Sequence, residues 1–341
     1  MGFPLVSIMI PIRNETAYIE RCLQAVFSQS YPQEYMEILI ADGLSDDGTC
    51  EKLKVLKSQY SKMRLFDNPG LIVPTGLNML IQNACGEILI RVDGHCVIAP
   101  DYVRNCVTHL LNGEADGVGG PMETIGETQL SKTIAIAMST PFGVGNSAFR
   151  TTNGRSVIAD TVPFPAFTRS IIKKAGLYDE ELVRNQDDEY NYRVRSLGGT
   201  LLLADDVRSK YYSRASIKKL WKQYFQYGYY KVRVLQKHTR QMSVRQFIPP
   251  LFVLSLLVSM TFGLLTDYGW IMFGVILITY LIANLAASLL TAAKKGWKHF
   301  FALPMAFAVI HISYGAGFLT GLVKFWNRWK DKEGQVPNWQ L

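Results

Sequence analysis

Four short polar clusters carry most of the residues able to do chemistry in this chain. They are Pro11-Ile12-Arg13-Asn14-Glu15, Asp42-Gly43-Leu44-Ser45-Asp46-Asp47-Gly48-Thr49, Arg91-Val92-Asp93-Gly94-His95 and Gln186-Asp187-Asp188-Glu189-Tyr190-Asn191-Tyr192-Arg193. A carboxylate opening the second cluster can accept from a pyrimidine N–H or from ribose hydroxyls. Its Ser-Asp-Asp-Gly-Thr stretch reads equally as a loop and helix N-cap. In the third cluster an acid, a small residue and an imidazole suit a divalent cation bridging a diphosphate. Oxygen ligation favours Mg²⁺, and an added imidazole admits Mn²⁺. The same three residues also make an ordinary turn. In the fourth cluster, like-charge repulsion among three adjacent acids favours proton uptake, the condition a general base requires. The alternative is an acidic helix N-terminus that complements the macrodipole.

These clusters need elements to hold them, and the apolar pattern supplies candidates. Val6–Ile12, Glu37–Ala41, Met63–Phe66 and Glu87–Val92 read as strands. Ala17–Phe27, Gly48–Tyr60 and Thr75–Ala84 read as helices between them. Strand-helix alternation implies an α/β, Rossmann-like fold with a mostly parallel sheet and helices on both faces. Ligands in such sheets gather at the carboxyl ends of strands, where the first three clusters fall. No G-x-G-x-x-G follows the first strand, which disfavours a dinucleotide oxidoreductase.

Taken in order, the four clusters closely resemble the family 2 inverting glycosyltransferases, which have the GT-A fold, and in particular their membrane-attached exopolysaccharide branch. The resemblance covers about residues 4–235. It implies that Pro11, Arg13 and Glu15 line the nucleotide pocket with Asp42 on the base. Asp93 and His95 would stand for the family's Asp-x-Asp metal and diphosphate motif, with His95 replacing the second Asp, around Mg²⁺ or Mn²⁺. The family's Glu-Asp motif appears as Gln186-Asp187. Its Asp usually precedes a helical Arg by six positions, a spacing that Asp187 and Arg193 share, so Asp187 rather than Asp188 is the expected base. The implied donor is a UDP-sugar, and the acceptor is lipid-linked or lies near the membrane. Processive members carry Gln-x-x-Arg-Trp. Gln223-Tyr224-Phe225-Gln226-Tyr227 departs from it, which argues against a processive synthase. A non-catalytic nucleotide-sugar scaffold would be expected to lose Asp93 or Asp187, and both are present.

Charge is unevenly placed. The net value of +8 hides 18 basic and 25 acidic residues in 1–207, 11 basic and no acidic residues in 208–245, and 7 basic and 3 acidic residues in 246–341. An acidic first two-thirds excludes a basic nucleic-acid-binding domain there. The belt precedes three apolar stretches, Phe247–Thr266, Gly269–Ala293 and Phe300–Val323, each near the length of a membrane span and free of charge. The expected divisions are a catalytic domain over 1–215, basic interface helices over 216–246, about three transmembrane helices over 247–323 and a polar tail over 324–341. Ile217, Leu220, Trp221, Tyr224, Phe225, Gly228, Val232 and Leu235 recur at helical spacing. With Lys218, Lys219, Lys222, Lys231 and Arg233 around them and no acidic partner nearby, they predict a helix lying on anionic lipid.

Lys294, Lys295 and Lys298 between the second and third stretches place that loop and the catalytic domain on the cytoplasmic side of a multi-pass plasma-membrane protein. Three simple crossings would carry Lys324, Arg328, Lys330 and Lys332 outside. The third stretch, interrupted by Pro304 and several glycines, could instead re-enter and return. Val6–Ile12 is too short for a signal peptide and lacks a preceding basic residue. The five cysteines match no zinc spacing and read as reduced packing residues. Gly143-Val144-Gly145-Asn146-Ser147 and Val162-Pro163-Phe164-Pro165 read as loops near the acceptor. His311 is expected to be a hydrogen-bonded membrane histidine, and His109 and His238 carry no constellation.

Overall fold

The structure is a computed structural model that describes residues 2–60, 62–145, 149, 154–213 and 216–337. Asn146 and Ser147 of the glycine-rich loop lie outside the described residues. The chain forms two compact units. One comprises Met1–Glu123, Ala148–Tyr212 and Glu333–Leu341, and the other Thr124–Ser147 and Ser213–Lys332. By contacts, residues 124–147 group with the helices, and residues 333–341 with the sheet.

The strands are β1 (Val6–Ile12), β2 (Met36–Asp42), β3 (Met63–Asp67), β4 (Ile88–Arg91), β5 (Cys96–Ile98), β6 (Gly117–Gly119), β7 (Met122–Ile125), β8 (Val157–Ile158), β9 (Ala166–Thr168), β10 (Leu201–Leu203) and β11 (Ser209–Tyr212). The helices are α1 (Ile19–Phe27), α2 (Thr49–Gln59), α3 (Val73–Asn83), α4 (Tyr102–Leu111), α5 (Gln129–Ala137), α6 (Pro141–Val144), α7 (Arg169–Ala175), α8 (Gln186–Ser196), α9 (Ile217–Lys237), α10 (Ile248–Gly263), α11 (Asp267–Lys295) and α12 (Leu303–Lys324).

In the first unit an eight-stranded mixed sheet runs β3-β2-β1-β4-β9-β6-β10-β8. All seven residues of β1 are buried, as a strand covered on both faces requires. β1 pairs in parallel with both β2 and β4, so the strand order reverses there, the kind of switch point beyond whose carboxyl end such sheets bind ligands. The register sets Ile12 beside Asp42 and Asp42 beside Asp67. The first three clusters thus leave the sheet at one edge. Tyr102, Cys106 and Cys96 pack under one face with Ile8 and Ile10, while Met9, Leu39, Leu77 and Tyr190 pack on the other. All five cysteines are free, and Cys22, Cys96 and Cys106 are buried, as packing residues should be.

His109 does have a constellation. Its Nδ1 lies 2.7 Å from Glu114 and its Nε2 2.9 Å from Asp206. Burial works against the imidazolium, but bonds to the two carboxylates outweigh it and raise the pKa. A raised folded-state value means that its contribution is full below about pH 6.5 and is lost as pH climbs through the folded value. Denaturant unfolding from pH 6 upward should therefore show stability falling, and His109→Gln should flatten that limb.

The second unit is helical. Three helical segments, Val244–Gly263 (ending in α10), α11 and α12, are long and apolar enough to cross a membrane. The third stretch is one continuous helix. Pro304 sits in its first turn, where a missing N–H costs nothing. Its glycines are contact points rather than breaks: a Cβ on Gly317 would fall 2.0 Å from the Phe225 carbonyl oxygen, and one on Gly321 2.6 Å from that of Tyr229. α12 thus packs on α9 at backbone contact. The basic face expected of α9 is also corrected. Lys218, Lys219 and Lys222 are exposed, but Lys231, Arg233 and Lys237 are buried, and Arg233 pairs with Asp331 at 3.5 Å. His311 is hydrogen-bonded as expected, to Tyr280 at 3.0 Å and the Phe142 carbonyl at 2.8 Å.

Candidate active site

The loops after β1 and β2 are stitched to each other. The Asn14 amide donates to Ser45 Oγ at 2.8 Å, and Asn14 Oδ1 accepts from the Asp46 amide at 3.0 Å. The Glu15 amide donates to Thr49 Oγ1 at 2.9 Å, and the Thr49 hydroxyl donates to Asp47 at 2.5 Å. Partial burial disfavours the Asp47 anion, but hydrogen bonds from Thr49 and Thr16 prevail and hold its carboxyl below the ordinary range. Ser-Asp-Asp-Gly-Thr is therefore chiefly a structural staple. Asp42 is nearly buried, with its two oxygens accepting from the Ser45 hydroxyl at 2.5 Å and amide at 3.2 Å. Pro11 is buried in β1, while Arg13 is exposed at the rim. A Cβ on Gly43 would stand 3.2 Å from the Leu71 carbonyl and 3.3 Å from the Arg13 side chain, so the first two clusters do converge.

Among the described residues five non-glycines have positive φ: Asn14, Leu44, Leu71, Phe164 and Asn185. Each such position costs about 1–3 kcal/mol, and such positions concentrate where a ligand is handled. Three of the five lie in or directly before the clusters singled out from sequence.

Glu15 is buried, and its Oε1 lies 2.9 Å from His95 Nδ1. The resemblance implied a nucleotide contact for Glu15; the structure places it behind His95. The imidazole also meets the Tyr211 ring edge-on at 4.7 Å. With Nδ1 so engaged, Nε2 is the ring nitrogen left for a ligand, the usual carboxylate–histidine support of a metal-binding imidazole. Gly94 permits this: a Cβ there would fall 2.6 Å from Ile12 Cγ2.

Arg91 ends β4 and was not among the residues given a role from sequence. Its side chain is only 4% exposed, with Nε 2.9 Å from Asp93 Oδ1 and Nη1 donating to the Asp187 carboxylate. Burial alone would lower its pKa; the Asp93 carboxylate more than offsets this and raises it. One buried cation thus joins the carboxylate of the third cluster to that of the fourth. A cation at the end of an otherwise apolar buried strand was the signal available in the sequence.

Asp187 sits in the first turn of α8, entered through Asn185 at φ 63°. Its six-residue spacing to Arg193 does not correspond to an ion pair between them. Arg193 donates to both Glu189 oxygens, at 3.0 and 2.8 Å, and to the carbonyls of Ala175 and Leu177. It holds α8 in place and covers Tyr190, which stacks on Tyr178 at 4.1 Å.

No group of three or more His, Cys, Asp or Glu side chains able to hold a metal ion occurs among the described residues. Asp93 and His95 offer one carboxylate and one imidazole. That set fits a cation whose remaining ligands come from a bound diphosphate, and does not fit a closed protein cage.

Known proteins are similar to this chain over nearly its whole length. The chain is 29% identical over 94% of its length to a dolichyl N-acetyl-alpha-D-glucosaminyl phosphate 3-beta-D-2,3-diacetamido-2,3-dideoxy-beta-D-glucuronosyltransferase of Methanococcus voltae, 97% of which is covered. It is 29% identical to the succinoglycan biosynthesis protein ExoA of Rhizobium meliloti, over 94% of this chain and 96% of that one. Among solved structures it resembles the mannosyltransferase PcManGT of Pyrobaculum calidifontis in complex with GDP-Man and Mn²⁺. The TM-score is 0.59 at 18% identity, over 95% of this chain and 88% of that one, which shows a shared GT-A fold. Residues 7–179, half of the chain, match the family described as Glycosyl transferase family 2, and they hold the first three clusters. The chain belongs to glycosyl transferase family 2 and is a glycosyltransferase.

Proposed function

We propose that this enzyme is membrane-anchored and inverting, moving a sugar from a UDP-sugar to a lipid-linked acceptor in the synthesis of a cell-surface glycan. The observation that carries this reading is the bridge from Asp93 through Arg91 to Asp187, which ties a diphosphate-side carboxylate to a carboxylate at a helix N-terminus. Arg13 at the exposed rim, with Pro11 and Asp42 buried behind it, would line the nucleoside seat. Asp93 and His95 would hold a divalent cation, Mg²⁺ or Mn²⁺, which when bound would supply positive charge to offset that of the departing nucleoside diphosphate. Asp187 takes the proton of the acceptor hydroxyl as that oxygen attacks the anomeric carbon. A single displacement inverts that centre, so an α-linked donor yields a β-linkage. The catalytic unit works on the cytoplasmic face, next to anionic lipid.

The test uses the purified full chain in lipid nanodiscs, a panel of nucleotide sugars and a membrane lipid extract. A UDP-sugar is expected to give a glycolipid of inverted configuration, and excess EDTA should abolish transfer. Asp93→Asn should cut kcat/KM by about a hundredfold, the worth of about 2.7 kcal/mol of charge stabilisation. Full activity in EDTA would overturn the cation site, and retained configuration would overturn single displacement.

A further inference from the structure

Three helices are apolar enough to span a bilayer, but they do not share one environment. In its most apolar stretch the Val244–Gly263 segment that contains α10 is 22% buried and α11 11% buried, whereas α12 is 50% buried. Leu257, Val258, Ile271, Val275, Ile278 and Ile282 show the outward apolar surface that acyl chains would cover.

The partner of α12 decides its course. α12 runs parallel to α9: Phe225 meets Gly317, Gly228 meets Tyr314 and Phe318, Tyr229 meets Gly321, and Gln236 donates to the Phe325 carbonyl at 2.7 Å. α9 carries six Lys and Arg residues and continues the chain directly from the catalytic unit. Such a helix does not cross hydrocarbon. Both ends of α9 therefore lie on the catalytic side, and α12, parallel to it at backbone contact, has both ends there too.

The chain end gives independent support. Eleven residues after Lys324, Gln335 exchanges backbone hydrogen bonds with the catalytic unit: its amide donates to Asp179 Oδ1 at 2.9 Å, and its carbonyl accepts from the Glu180 amide at 2.9 Å.

We infer that the protein crosses the membrane twice, not three times. On this reading α10 and α11 form a hairpin that goes out and returns, and α12 lies with α9 as a platform in the headgroup layer of the catalytic side. α11 turns back along α10, with Gly269 against Gly263 and Tyr280 stacked on Phe252 at 4.4 Å. Its 29 residues exceed the ~20 that hydrocarbon requires, so its last turns reach the platform. There Ala292 shares a buried cluster with Leu220 and Leu303. Exposed Lys218, Lys219, Lys222, Lys294, Lys295 and Lys298 flank that cluster and suit anionic lipid headgroups. The arrangement also returns Lys324, Arg328, Lys330 and Lys332 to the same side, as the bias of basic residues toward the cytoplasm favours, whereas three crossings would place them opposite.

This inference rests on the membrane anchoring proposed above, and labelling can separate the two. Exposed native Cys85 marks the catalytic side. Leu265→Cys at the hairpin tip and Lys330→Cys in the tail, each in the full chain in cells, would be treated with a membrane-impermeant maleimide before and after permeabilisation, and the labelled sites read by mass spectrometry. Lys330→Cys is expected to label with Cys85, and Leu265→Cys from the opposite face. Labelling of Lys330→Cys together with Leu265→Cys would establish three crossings and overturn the inference. Labelling of all three from one face, with release of the protein by alkaline carbonate, would overturn the anchoring itself.

Discussion

Asp187→Asn is expected to lower kcat by about 10²–10⁴-fold, the usual worth of a positioned general base. Affinity for the nucleotide sugar should change little, because the base serves the acceptor oxygen rather than the diphosphate. Asp188→Asn should keep most of the rate, since it is Asp187 that receives the Arg91 guanidinium. Single-turnover rates with saturating acceptor, beside donor affinity from calorimetry, separate the two effects. If Asp188→Asn is inactive and Asp187→Asn active, the base is misassigned by one residue.

Arg91→Met should be the most damaging change to the fold of the catalytic unit. Removing one member of a buried charge cluster typically costs about 3–5 kcal/mol, because the carboxylates left behind lose their partner. The lower end applies here, since the Asp187 side chain is 39% exposed and solvent can take up part of its charge. Arg91→Lys should restore part of that stability but little of kcat, because an ammonium is a point charge and cannot bridge two carboxylates as a planar fork does. Denaturant unfolding and kcat on the same preparations test this. Equal recovery of both in Arg91→Lys would show that charge alone suffices.

Local patterns carried much of the fold into view. Buried runs such as Val6–Ile12 and Met36–Asp42 announce strands by composition, and the polar residues after them announce the ligand edge. Boundaries shifted by one or two residues, as with α1, which begins at Ile19 rather than Ala17. What escaped depends on distant partners. Arg233 looked like part of a lipid-facing belt because Asp331 lies 98 residues away in sequence. The glycines of α12 looked like interruptions because nothing local reveals the α9 backbone against them. In the site, Asp93 and Asp187 were legible as carboxylates in informative positions. The Arg91 bridge between them was not, because it depends on bringing β4 and the start of α8 together.

The stitched loops after β1 and β2 bear on how this enzyme divides its free energy. Their hydrogen bonds and the left-handed backbone at Asn14 and Leu44, with that of Leu71 after β3, are built into the fold. A nucleotide seated there, as proposed, would meet a rim already held in shape and would give up little affinity to ordering it. The cost falls instead on the folded state, which carries those backbone conformations whether or not a donor is bound. Stabilising and affinity-enhancing changes should therefore oppose each other at these positions. Glycine at Leu44 or Leu71 would relax the strained backbone while loosening the rim, the exchange of activity for robustness that evolved sites resist.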